Sequence, residues 1–320
     1  MKHGTTMTTT GARVSLAPRP ADTGPGHRLW LAAVCLLAWL GTPCGVAAQT
    51  AADRAEAAAR GYDGILAAGH FAVAWRLDEA SADEIRALLA VTEPLFDRIS
   101  TIVGPEQTPT EPVFLVLAGY GQAADGSWRF PNVDERGRVI LFRYGDGVMS
   151  YRQEIAHELV HAFRRHAGYW LSGFLEEGFA EAMAMEVDPD EVGFPRYGYP
   201  LTVAAGHLLE RGEYLPLADV RARHAEVGRR CQLQAYLERA AFFDYLKRKG
   251  GLDALLRLVY RGSAPTDADY VELFGSRFAD LVSDWEDTLL SAYRNTQGAA
   301  EMAVRFHAEP PIASRPVCAP

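Results

Sequence analysis

The apolar and polar positions divide the chain into stretches of different character. Leu29–Leu40 is an apolar run without charge. His70–Arg76 alternates, with β-branched and aromatic residues, and reads as a strand. Ser81 then opens a helix. Ser81 and Glu84 have the spacing of a capping box, and Ile85, Leu88, Leu89, Leu95 and Phe96 return with helical period. Pro94 is a candidate kink, and Gly104-Pro105 marks the end. Val113–Leu117 is unbroken and apolar, as expected of a strand buried on both faces. Arg138–Tyr144 is a further strand, and Gly119–Gly137 between them is a loop.

From Ser150 the period becomes helical throughout. The predicted helices cover about 150–166, 173–187, 200–211, 231–249, 252–261 and 268–293, with no returning strand and no internal repeat. Ala51–Arg60 suggests a short leading helix. The pattern predicts an α+β chain: a small N-terminal mixed sheet with helices, then a mainly helical C-terminal lobe, with the site in the cleft between them. The expected organisation is an N-terminal extension and signal peptide over 1–48, one domain over 49–300 and a tail over 301–320. Within the domain, 49–149 forms the α/β lobe and 150–300 the helical lobe.

Composition narrows the picture. The chain has 320 residues, 48% of them hydrophobic, enough for one sizeable core. A net charge of -9 without a dense basic stripe argues against nucleic acid as a partner. Leu29–Leu40 falls short of the roughly 20 apolar residues a spanning helix needs. Gly41, Pro43 and Gly45 break it, and Val46-Ala47-Ala48 supplies small residues for cleavage after Ala48. Export to the periplasm or beyond is the expectation; uncleaved, the segment would be the chain's one attachment to a membrane. Cleavage leaves Cys231 and Cys318, which either bridge or remain thiols.

The chemistry concentrates in two segments. His157-Glu158-Leu159-Val160-His161 is an H-E-x-x-H pattern. On a helix, positions i and i+4 lie about 40° apart, so both imidazoles can reach one ion. Glu158 is rotated to the side, where a base beside that ion belongs. Ser150 and Gln153 offer a capping box, Gly168 a stop, and Ile155, Leu159, Ala162 and Phe163 a buried stripe. Taken alone, the pattern equally describes two histidines on a polar helix face. After His161, the run Phe174–Glu181 brings Glu176, Glu177 and Glu181, with Glu177 sixteen residues beyond His161. Outside a metal site these carboxylates describe an acidic helix start favoured by the helix dipole.

Together the two segments resemble the gluzincin zinc metallopeptidases, most closely the peptidase MA-like domains. In that group H-E-x-x-H is followed by a helix bearing E-G-x-A-E or a similar run. The resemblance covers about 110–290 and includes Gln234–Leu246, Gly250-Gly251-Leu252 and Tyr270–Leu290. It implies a zincin-like fold and one zinc per chain, held by His157, His161 and Glu177. Glu181 would steady His157, and Glu176 is the substitute ligand if the register is off by one. Gly178 would let the two ligand helices approach. The implied activity is hydrolysis of peptide bonds in a peptide or protein substrate, with zinc-activated water and Glu158 as general base. The oxyanion donor would come from Tyr236, Tyr197, Tyr199, His207 or His224, with Tyr236 preferred. In that group an edge strand at the place of strand 138–144, just before the zinc helix, pairs with substrate backbone, and the sequence leaves open whether this strand is exposed. The competing reading is a non-catalytic gluzincin-like module for periplasmic binding or envelope assembly. It has no need of the base at Glu158.

Overall fold

The computed structural model describes residues 61–122, 124, 129–144, 152–169, 173–189, 201–223, 232–261 and 264–301. The signal segment, the 51–60 helix, Ser150, Tyr197, Tyr199, His224, Cys231, Cys318 and the tail from 302 lie outside these residues.

The described chain is α+β. Its elements run β1 (Gly64–Ala68), β2 (Phe71–Trp75), α1 (Ala82–Val103), β3 (Val113–Tyr120), β4 (Asn132–Val133), β5 (Val139–Arg143), α2 (Arg152–His166) and α3 (Gly173–Val187). They continue with α4 (Leu201–Glu210), α5 (Leu217–Ala222), α6 (Gln232–Val259), α7 (Asp267–Phe274) and α8 (Phe278–Asn295). The five strands form one mixed sheet in the order β1-β2-β3-β5-β4. β2, β3 and β5 are parallel, and β1 and β4 are antiparallel additions at the two edges. None of the described helices is long and apolar enough to cross a membrane.

The local signals explain most of these boundaries. Ser81 accepts from the Glu84 amide, and Glu84 accepts from the Ser81 amide at 2.8 Å, completing the capping box of α1. The other Glu84 oxygen takes a hydrogen bond from Arg143 at 2.7 Å, which ties the helix start to β5. Pro94 sits inside α1 without ending it. α2 stops at Gly168, whose φ of 76° suits glycine. The Gly168 amide donates to Arg165 and that of Tyr169 to Arg164, the paired bonds of a Schellman motif. Gly251, at φ 81° and ψ 165°, is non-helical and divides α6 into two helical arms, where the sequence separates helices over 231–249 and 252–261.

Two expectations change, and one open point is closed. β1 was missed, because Gly64–Ala68 lacks alternation and half of it faces water. The helix expected over 268–293 is two, because Gly275 adopts the left-handed conformation and closes α7. Strand 138–144, whose exposure the sequence left open, is β5, and it is paired on both sides. The short β4, inside the segment read as loop, takes the edge instead. A single continuous apolar core joins sheet and helices, from Phe71 and Val73 through Leu115 and Leu141 to Phe163, Phe179, Phe242 and Trp285.

Candidate metal centre

α2 is buried along most of its length. Ile155, Leu159, Ala162 and Phe163 are buried as expected, but so are Gln153, Glu154 and Arg164. Tyr144 donates to Glu154 at 2.9 Å, and Gln153 donates to the Asp188 carbonyl at 3.1 Å. Glu154 and the Gln153 amide are thus engaged where the helix enters the core, which helps to fix the two imidazoles it carries.

Those imidazoles are buried and lie edge to face, with ring centroids 4.7 Å apart. Their Nε2 atoms are 3.0 Å apart. α3 crosses beside them, with Phe174, Phe179, Ala182 and Met183 in the core. It delivers Oε2 of Glu177 to 3.3 Å from His157 Nε2 and 3.6 Å from His161 Nε2. Donors placed about 2.0–2.1 Å from a tetrahedral ion stand about 3.3–3.4 Å from one another. The three measured separations bracket that value. Glu177 Oε2 is shut off from solvent and has no well-formed hydrogen bond, as suits an atom whose lone pair belongs to a cation. His157, His161 and Glu177 together can hold a metal ion.

The surroundings are equally ordered. Glu158 Oε1 lies 4.0 Å from His157 Nε2, flanking the donor trio without joining it. Glu181 Oε1 lies 3.5 Å from Nδ1 of His157, on the side of the ring away from the trio. Glu176 is not in ligand position. Its Oε1 is 3.0 Å from Nδ1 of His161, and its Oε2 is 3.2 Å from Nε of Arg164. Gly178 serves a different contact from the one expected. A Cβ there would meet the Phe243 ring at 2.3 Å, so the glycine admits α6 rather than α2.

Electrostatics follow from this crowd of carboxylates. Burial alone would lower the His161 pKa, but Glu177, Glu176 and Glu158 raise it to about 10. Burial would raise Glu177, yet His161 and His157 hold it well below the usual carboxylate range. The trio therefore carries an imidazolium and a carboxylate, and a metal ion must displace a proton to bind.

A cavity of about 130 Å³ opens onto these atoms. Beyond the trio and Glu158, it is lined by Tyr236 from α6, by Pro131, Asn132 and Val133 at the sheet edge, and by Glu176 and Arg165. The Tyr236 ring lies 6.2 Å from that of His157 and carries the Arg239 guanidinium 4.5 Å over its face. Of the other donors considered, His207 pairs with Tyr293 at 3.0 Å and does not line the cavity. The sheet-edge residues and Arg165 were not anticipated. Arg165 carried a signal, since it lies four residues after His161 on the same helical face. Residues 131–133 carried none.

No family model, no curated protein and no solved structure matches this chain. The functional reading rests on the geometry of the centre.

Proposed function

We propose that the chain is a zinc-dependent hydrolase of the gluzincin, zincin-like kind that cleaves peptide bonds, exported as its N-terminal pattern suggests. The observation that carries this reading is the convergence of two imidazole nitrogens and one carboxylate oxygen at tetrahedral spacing, with a second carboxylate beside them. Two nitrogens and one oxygen suit zinc, and three protein donors leave a coordination position open, as catalytic sites do.

Zinc held there supplies a Lewis acid that polarises a carbonyl and acidifies water. The rest is the work of the chain. Glu158 is nearly buried and stands where it can take a proton from attacking water, then return it to the leaving amine. Tyr236, which lines the same cavity, would donate its phenolic proton to the developing oxyanion. Glu181 orients His157. β4, at the edge of the sheet among the described residues, borders the cavity and would offer its outer backbone side to an extended peptide.

Two measurements test the reading together: metal content of the purified chain, and cleavage of a broad peptide library. The expected result is about one zinc per chain, retained in Glu158→Gln with loss of hydrolysis and lost in Glu177→Ala. A zinc-loaded wild-type chain that cleaves nothing would favour the non-catalytic module instead.

A further inference from the structure

We propose that Glu176, locked by the buried guanidinium of Arg164, is a positioning residue that fixes His161 as a metal donor; this rests on the metal reading above. The carboxylate bridges two groups, with one oxygen 3.0 Å from Nδ1 of His161 and the other 3.2 Å from Nε of Arg164. Arg164 is fully excluded from solvent, and its guanidinium lies 5.6 Å from the Phe179 ring centre and 5.3 Å from that of Tyr260. Stripping an arginine of water is costly, and an apolar side chain of similar volume would pack between those rings without the cost. The cation therefore has a use beyond packing, and Glu176 indicates it.

When His161 gives Nε2 to a metal, its remaining proton sits on Nδ1. Glu176 accepts that proton's hydrogen bond, which sets the tautomer, fixes the ring plane and makes the ring a better donor. A buried carboxylate beside a neutral imidazole needs a counter-charge, and Arg164 supplies it. The connections are one turn long on each helix: His161 to Arg164 on α2, and Glu176 to Phe179 on α3. Each histidine of the trio then has its own carboxylate behind it, Glu181 for His157 and Glu176 for His161.

The competing account is a salt bridge that only joins α2 to α3, and metal affinity separates the two. In the full chain, Glu176→Ala and Arg164→Met are expected to weaken zinc about 10- to 100-fold in a chelator competition. Both should also alter the visible spectrum of the cobalt-substituted protein. Glu176→Gln, which keeps an acceptor for Nδ1 but not the charge, should recover part of the affinity. It also carries the test if the larger changes prevent folding. Variants that lose thermal stability but bind zinc within twofold of wild type, with an unchanged cobalt spectrum, overturn the proposal while leaving the metal reading intact. A wild-type chain that takes up no zinc overturns both.

Discussion

Phe243 on α6 packs against Gly178 on α3 so closely that a methyl group at 178 would lie 2.3 Å from its ring. Gly178 immediately follows Glu177, so the close approach of α6 also sets where the carboxylate of the trio sits. Gly178→Ala should therefore act on both stability and the metal centre. Overpacking of this kind typically costs about 1–3 kcal/mol. The expected outcome is a lowered midpoint in urea together with weaker zinc binding. Ala182, one turn further along α3 and also fully buried, is the control, since Ala182→Gly should lower stability with a smaller effect on zinc. Equal zinc affinity in Gly178→Ala and wild type would show that α6 does not set the position of Glu177.

Tyr236 was chosen from sequence among five candidates, and the cavity contains it while His207 faces Tyr293. If its hydroxyl serves the oxyanion, Tyr236→Phe should leave zinc content and KM near wild type and lower kcat by about 10²–10³. Steady-state kinetics on any peptide found to be cleaved will check this. A variant with wild-type kcat removes Tyr236 from the mechanism and moves attention to the donors outside the described residues.

The legible and illegible parts of the chain differ in the range of the interactions that define them. His157 and His161 were readable because helical geometry puts i and i+4 on one face, whereas Glu177, sixteen residues after His161, was assigned through the resemblance to an E-G-x-A-E run. The capping box at Ser81 and the stop at Gly168 were equally local. The edge at Asn132–Val133 was not readable, since a two-residue strand exists only through its pairing with Val139 and Ile140. Arg164 was passed over for the same reason. An arginine near a helix end reads as solvated, and only the tertiary arrangement of Glu176, Phe179 and Tyr260 makes a buried site for it. Gly178 was assigned the right kind of role and the wrong neighbour, because sequence marks a close approach without naming the partner.

The proton and the metal compete for the same atoms, which gives the centre a definite dependence on pH. In the metal-free chain the His161 pKa is raised from 6.5 to about 10, by carboxylates that outweigh its burial. A raised folded-state pKa contributes stability that is complete below about 6.5 and is lost as pH rises through about 10. Glu177, held well below its usual 4.5, contributes above that value and loses its contribution as pH falls. Metal-free protein should therefore lose stability between pH 6.5 and 9, by at most about 1.4 kcal/mol per pH unit. Zinc affinity runs the other way, because binding requires the neutral imidazole. It should rise about tenfold per pH unit over the same range, with about one proton released per zinc at pH 7. Thermal denaturation with and without zinc across this range, and calorimetry in buffers of different ionisation enthalpy, measure the two quantities independently. A zinc-induced rise in Tm that does not grow from pH 6.5 to 9, with no proton released, would mean that His161 is not the atom the metal displaces a proton from.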